Sequence, residues 1–415
     1  MEWGAQQSVA LDRVGRWMQT RDTPYFYLAG WAGTGKSTLA KHIAESAGGQ
    51  VLFGAYTGKA ALIMQQKGCP GASTLHSLIY RPSPPSTGAL KEYELSLKEL
   101  RTELFAEGKG LAEVNRHPCV LHLQEQIAKE RERTNQPYFT RNDESDLRFA
   151  DLLIVDEVSM VDTRMGEDLL SFHVPILVLG DPGQLPPVRG VGFFSQNEPH
   201  YTLTEVHRQA KDNPIVRLAT EVRHKKLPKH GRYGDSEVVS FAELKTRAED
   251  VKNMPICLTG RNATRRQSNK RIRELNGRDS EYPVEGDQIV CLKNDHELGL
   301  LNGGLWNVIG ESYDASDDNT RHLHIENIED KRTMDINAIA RLFTGTDPKE
   351  IDFFANRGRA WFDFGHALTV HKSQGSQWTH GVVIDESDAF RSARWNHIYT
   401  AITRFSSHLL LATKG

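Results

Sequence analysis

An α/β fold with more than one compact unit is predicted by three features of the 415-residue chain. The apolar run Tyr25 to Ala29 leads directly into Gly30-Trp31-Ala32-Gly33-Thr34-Gly35-Lys36-Ser37, a phosphate-binding loop between a buried strand and a helix. Leu152-Leu153-Ile154-Val155 ends in Asp156-Glu157, and Ile176-Leu177-Val178-Leu179 ends in Gly180-Asp181-Pro182-Gly183-Gln184. Short unbroken apolar runs of this kind suit parallel strands buried on both faces, and their C-terminal ends deliver polar groups to one edge of a sheet. The length exceeds what a single core serves, so about two to four units are expected.

The phosphate loop predicts a nucleoside triphosphate as ligand. Gly30, Gly33 and Gly35 let the backbone bend so that its N–H groups converge on phosphate oxygens, and Thr34 and Thr38 belong to the same phosphate-facing set. A helix starting near Lys36 adds the positive end of its dipole. Lys36 is placed to neutralise the β- and γ-phosphates and the Ser37 hydroxyl to ligate Mg²⁺. Asp156 is the second expected metal partner, Glu157 the group that polarises the attacking water. Gln184 can both donate and accept, which suits a side chain touching the γ-phosphate and the water. Read alone, Asp-Glu after a strand is only the polar start of a loop, and Gln184 a solvent-facing turn residue.

Composition narrows the class. With 38% hydrophobic and 25% charged residues the chain reads as an ordinary soluble protein. No stretch approaches the roughly 18 apolar residues of a membrane span, and Met1-Glu2-Trp3-Gly4 lacks the basic-then-apolar pattern of a secretory signal. A cytoplasmic protein without membrane partners is therefore expected. Cys69, Cys119, Cys257 and Cys291 are widely separated, which argues against a zinc site or a disulfide framework. The formal charge of −3 carries no global attraction to nucleic acid, so any such binding must be local.

Beyond these features, several short segments recur in a fixed order. After the phosphate loop come Asp156-Glu157-Val158-Ser159-Met160, Gly180-Asp181-Pro182-Gly183-Gln184-Leu185-Pro186 and Leu203-Thr204-Glu205-Val206-His207-Arg208-Gln209. Thr369-Val370-His371-Lys372-Ser373-Gln374-Gly375 and Tyr399-Thr400-Ala401-Ile402-Thr403-Arg404 complete the series. Together they resemble the motif set of superfamily 1B, RecD-like DNA helicases, over nearly the whole chain from about Gln7 to Leu411.

The resemblance implies ATP and Mg²⁺ as cofactors, and single-stranded DNA and duplex junctions as partners. It implies that Gln7 reads the adenine edge and that Arg208 and Arg404 reach the γ-phosphate from across a cleft. It further implies single-strand contacts by Thr57 and Lys59 in Thr57-Gly58-Lys59-Ala60-Ala61, by Thr74 and His76 in Ser73-Thr74-Leu75-His76, and by His371 and Lys372. Gln377 stands where the family pattern carries glutamate, a departure at a position tied to ribose or nucleotide contact.

The implied architecture is α/β, with two RecA-like P-loop motor domains, an inserted wedge subdomain and an inserted small β-barrel. The first motor domain is expected over 1–80 and 137–210, the second over 211–280 and 362–415. Arg81-Pro82-Ser83-Pro84-Pro85-Ser86 reads as an exit linker into a charged helical insertion over 81–136, a candidate strand-separating wedge. Alternating segments at Gln288-Ile289-Val290-Cys291-Leu292, Trp306-Asn307-Val308-Ile309 and His322-Leu323-His324-Ile325 mark the expected barrel over 281–361. Arg261, Arg265, Arg266, Lys270, Arg271 and Arg273 crowd one predicted helix, either a solvated basic face or a phosphate-facing patch.

The function expected from the resemblance is that of a monomeric ATP-dependent DNA helicase translocating 5′ to 3′ in DNA repair, recombination or replication, with partner proteins from those processes. The alternative is a DNA-stimulated ATPase acting as motor subunit of a recombination nuclease or relaxase complex.

Overall fold

Strands that alternate with helices have been drawn into two parallel sheets in the computed structural model, which describes residues 3–83, 88–134, 138–187, 192–205, 212–295, 297–312, 319–352 and 355–414. The first sheet has six strands in the spatial order Ser73–Thr74, Val51–Ala55, Leu152–Asp156, Ile176–Gly180, Tyr25–Gly30, Tyr201–Leu203. All its pairings are parallel. Leu152 to Val155 and Ile176 to Leu179 are all fully buried, as expected of strands covered on both faces. One cover is the helix Ala5–Thr20, which buries Ala10, Val14 and Trp17; another is Lys36–Ala47, which buries Leu39, Ala40 and Ile43. Each such fully buried large apolar side chain contributes about 1.5–3 kcal/mol.

The second sheet also has six strands, ordered Ala367–Thr369, Cys257–Thr259, Trp378–Ile384, Phe405–Thr413, Ser236–Ser240, Gly231–Tyr233. Only the last pairing is antiparallel. Its main core draws on the helices Pro214–Arg223 and Arg394–Ile402, through Leu218, Val222, Ile398 and Ile402.

A third sheet occupies the region expected to form a barrel. Five antiparallel strands run in the order Thr333–Ile339, Thr320–Asn327, Leu305–Ser312, Gln288–Cys291, Phe362–Phe364. A single parallel bridge, Ala338 to Ala360, joins one edge strand to the segment just before the other. Trp306, Val308, Ile325 and Phe362 fill its interior. The basic helix spans Asn262–Leu275, and its charges divide: Arg273 is buried against Asp287 and Arg265 pairs with Asp363, so neither belongs to a phosphate-facing patch.

Residues Tyr80–Asp143 and Thr346–Gly358 form a second compact unit. It contains the helices Gly88–Ala106, Leu111–Arg116 and Pro118–Thr134, with Leu104, Val114 and Val120 at its core. Of the Pro-rich stretch expected to be a linker, Arg81 to Ser83 belong to a ribbon in which Tyr80–Ser83 pairs antiparallel with Tyr138–Arg141, and the remainder lies outside the described residues. Pro82 lies opposite Phe139 in this ribbon, whose strands are both edges, the setting in which sheets accommodate proline. Among the described residues no helix is long and apolar enough to cross a membrane.

Candidate nucleotide site and single-strand segments

The strand Tyr25–Gly30 ends where the phosphate loop begins, and the helix after it starts at Lys36 with Gly35 as its cap in a left-handed conformation, φ 82°. Gly33 adopts φ 80°, so both turns need a residue without a β-carbon penalty. A β-carbon on Gly30 would approach Thr34 Oγ1 to 2.7 Å, which keeps the loop tight against its own strand. Lys36 Nζ donates to the carbonyls of Gly30 at 2.5 Å and Trp31 at 3.2 Å. Its stem thus lies along the loop with the ammonium at the mouth.

Neighbouring strands bring their carboxylates to the same edge. Asp156 accepts from the Glu157 amide at 2.8 Å, and its carboxyl is raised above the usual range by burial and then by Glu157, with Lys36 opposing. Glu157 has φ 54°, a left-handed conformation unusual for a residue with a side chain. That strain turns its carboxylate towards the second sheet, where Arg404 Nη1 meets Oε1 at 3.2 Å. Arg404 is only 4% exposed, also donates to the Ser376 carbonyl, and keeps a buried Nε with no hydrogen-bond partner among the described residues.

These groups line a cavity of about 210 Å³ between the sheets, together with Ser37, Gln184 and Gln377. A buried guanidinium with an N–H that lacks a partner among the described residues, lining one cavity with the phosphate loop, fits a phosphate. A hydroxyl and a carboxylate, Ser37 and Asp156, are hard oxygen donors of the kind Mg²⁺ takes while keeping substrate phosphates as its other ligands. No group of three or more metal-ligating side chains occurs among the described residues. Thr38 is exposed on the outer side of the helix start.

Gln7 is buried; its Nε2 donates to the Thr34 carbonyl at 3.2 Å and its Oε1 accepts from Gly4. Its amide therefore braces the phosphate loop from the first helix. Arg208 lies outside the described residues.

The single-strand candidates fall into two groups by environment. Thr74 and His76 sit half-buried at the start of the helix Leu75–Ile79, where the Thr74 hydroxyl bonds Ser77 and burial lowers the His76 imidazole below its usual range. His371 is likewise lowered by burial, and Lys372 Nζ donates to Asn302 in the third sheet's first turn. Thr57 caps the helix Gly58–Gln66 by accepting from Ala60. Lys59 differs from the expectation of an open phosphate contact. It is 4% exposed, its ammonium lies 2.9 Å from Glu329 and over the Trp378 ring, and its charge is committed there.

Sequence reasoning assigned no role to Asp181, Asn396 or Tyr399, all of which reach this site. Tyr399 was visible only as part of a motif, and its partner Asp181 is 218 residues away. No local pattern encodes such a pairing.

Comparison with known proteins agrees with this layout. A family model described as an AAA domain matches residues 6–243, and one described as a UvrD-like helicase C-terminal domain matches 364–412. The ATP-dependent RecD2 DNA helicase of Deinococcus radiodurans is 28% identical over 409 residues, covering 91% of this chain and 45% of that protein. The chain thus spans about half the length of this relative. A structure of Pif1 helicases unwinding forked double-stranded DNA matches over 99% of this chain and 92% of its own, with TM-score 0.53 and 18% identity. A Bacteroides Pif1 helicase in complex with ADP-AlF3 and single-stranded DNA matches over the same shares, with TM-score 0.51 and 16% identity. The similarity to a RecD2 DNA helicase accompanies a family match over more than half of the sequence, and the chain belongs to the AAA-domain family.

Proposed function

We propose that this chain is an ATP-dependent DNA helicase that translocates on single-stranded DNA, 5′ to 3′ as the family resemblance implies, with ATP hydrolysed between two RecA-like domains. One observation carries the reading: Glu157 from the first sheet and Arg404 from the second meet at 3.2 Å beside the phosphate loop, so the site needs both sheets. The names of the RecD2 relative and of the Pif1 structure with nucleotide and single-stranded DNA support it.

On this reading Lys36 and the loop amides hold the triphosphate, whose γ-phosphate competes with Glu157 for the Arg404 guanidinium. Glu157, so released, accepts a proton as water attacks the γ-phosphorus and the bond to the β-phosphate oxygen breaks. Gln184 orients the water, and Arg404 offsets the charge that develops on the transferred group. Ser37 and Asp156 would hold Mg²⁺, which would supply Lewis-acid neutralisation of the phosphate oxygens. Thr57, Thr74 and His76 on the first domain and His371 and Lys372 on the second hold the strand. Closure and opening of the cleft then move one set of contacts past the other, because only the ATP-bound state favours closure. The motor domains are built on the first and second sheets, the third sheet is the inserted barrel, and the helical insertion within Tyr80–Asp143 is the strand-separating element. The setting is cytoplasmic.

Strand displacement on duplexes with 5′ or 3′ tails tests the proposal. Unwinding of the 5′-tailed substrate that needs ATP and Mg²⁺, and is abolished in Lys36→Ala, is the expected result. Absence of DNA-stimulated hydrolysis by the wild-type chain overturns it.

A further inference from the structure

The helix Arg394–Ile402 grips both catalytic loops of the first sheet. Tyr399 Oη donates to Asp181 at 2.8 Å and accepts from the Ala32 amide, in the phosphate loop, at 3.1 Å. Thr400 Oγ1 accepts from the Leu185 amide at 2.9 Å, and Asn396 Nδ2 is within 3.1 Å of the Gln184 carbonyl. Trp31, the second residue of the phosphate loop, stands edge-on to the Tyr399 ring at 6.1 Å, with the Arg223 guanidinium 4.8 Å over it. A β-carbon on Gly183 would collide with Tyr399 at 2.7 Å, so the loop carrying Gln184 is moulded to that ring. Burial raises Asp181 above the usual carboxyl range and Tyr399 far above the usual phenol range, which keeps the phenol a proton donor.

The same helix extends this grip towards the DNA segment. His397 lies stacked on Phe390, centroids 4.0 Å apart and planes 14° apart, and Phe390 packs on His371 at 5.4 Å. His397 is 1% exposed, and among the described residues neither ring nitrogen has a hydrogen-bond partner. Its pKa is lowered to about 3, by burial and then by His371, so the ring stays neutral and acts as a flat packing surface. Close-packed rings transmit displacement because they have no free volume to absorb it.

We infer that Tyr399 is a positioning residue that ties the phosphate loop and the Gln184 loop to the helix Arg394–Ile402, and that the His371–Phe390–His397 stack passes DNA occupancy along that helix to the hydrolytic site. The inference rests on the helicase reading above and adds the route by which DNA stimulates turnover. Physical adjacency alone does not establish coupling, so the test is a double-mutant cycle.

ATP hydrolysis is measured with and without an oligothymidylate for the wild type, Tyr399→Phe, Phe390→Leu and the double variant, with ATP KM and oligonucleotide Kd alongside. Tyr399→Phe keeps the ring and removes both hydrogen bonds. It is expected to lower the DNA-stimulated kcat roughly tenfold to hundredfold, as for misplaced catalytic groups, with KM and Kd within about twofold. Phe390→Leu should lower the stimulation ratio, and the double variant should lose no more than the larger single effect. Wild-type stimulation in Tyr399→Phe, or independent multiplicative losses, overturns the inference. If either variant fails to fold, Asn396→Ala takes its place with the same expectations. A wild type that DNA does not stimulate would instead sink the helicase reading on which all of this stands.

Discussion

Glu157 and Arg404 are 247 residues apart in sequence and share a hydrogen bond of 3.2 Å between the two parallel sheets. The left-handed backbone at Glu157 aims its carboxylate across the cleft, and the turn after Ile402 places Arg404 opposite. The pair predicts that Glu157 is the general base. Glu157→Gln should keep ATP affinity and slow hydrolysis by roughly 10²- to 10⁴-fold. Hydrolysis at the wild-type rate in this variant would exclude the assignment.

Arg404 has a second, separable consequence. Its guanidinium is nearly inaccessible, yet its Nε has no partner among the described residues. Arg404→Ala should cost on the order of 10³-fold in turnover, in the range of other arginine fingers, with nucleotide affinity much less affected. Arg404→Lys should not restore it, since one ammonium cannot span Glu157, the Ser376 carbonyl and a phosphate. Single-turnover hydrolysis and nucleotide titration measure the two quantities.

How much of this was legible depends on the range of the interaction. The phosphate loop, Asp156-Glu157 and the flanking strands were readable because strand, loop and helix are consecutive and their chemistry is local. The same holds for Thr320–Asn327, whose alternation marks a half-buried face, whereas Gln288–Cys291 is buried throughout. Lys59 reads as a phosphate contact from its motif alone, and its pairing with Glu329 was not legible because Glu329 lies in a distant hairpin with no sequence signal. Arg273 reads as part of a basic face from its helix alone, whereas its partner Asp287 lies just before the strand Gln288–Cys291. Pro82 suggested a linker because ribbon pairing with Phe139 depends on a strand more than fifty residues later, across the helical insertion.

Because Lys59 is already paired, it should add little to the electrostatics of DNA binding. Lys59→Met is expected to leave the slope of log K against log salt for single-stranded DNA unchanged. A fall of about one in that slope would mean that Lys59 leaves Glu329 for a phosphate when DNA binds. Fluorescence anisotropy titrations at several salt concentrations decide between the outcomes.

Asp287 is fully buried and pairs with Arg273 at 3.0 Å, with Arg278 and His366 close by. Burial alone would raise its carboxyl, but hydrogen bonds from His366, Arg273 and the Val284 amide outweigh it and hold the group below its usual range. A folded pKa below the unfolded value of about 3.9 stabilises the protein above that pH. The contribution is lost as pH falls through the lower folded value. Asp287→Asn should therefore destabilise by about 3–5 kcal/mol at pH 7, since it strands a buried arginine charge. The gap in urea midpoint between wild type and variant should narrow at pH 3. An equal gap at both pH values would show that packing, not charge, accounts for the loss.

The helical insertion yields the sharpest test of strand separation. Its helices Gly88–Ala106 and Pro118–Thr134 leave Leu95, Phe105 and Leu121 exposed at 56%, 46% and 51%. A wedge needs rigid apolar side chains to replace lost base stacking, and Phe105 is the aromatic one of the three. The ribbon Tyr80–Ser83 with Tyr138–Arg141 closes the base of the insertion, so a Gly-Ser linker replacing residues 88–134 joins ends already held together. That variant should retain ATP hydrolysis stimulated by single-stranded DNA while losing unwinding of a 5′-tailed duplex, and Phe105→Ala should lose a part of it. Unwinding at the wild-type rate after the replacement would place the separating element elsewhere in the chain.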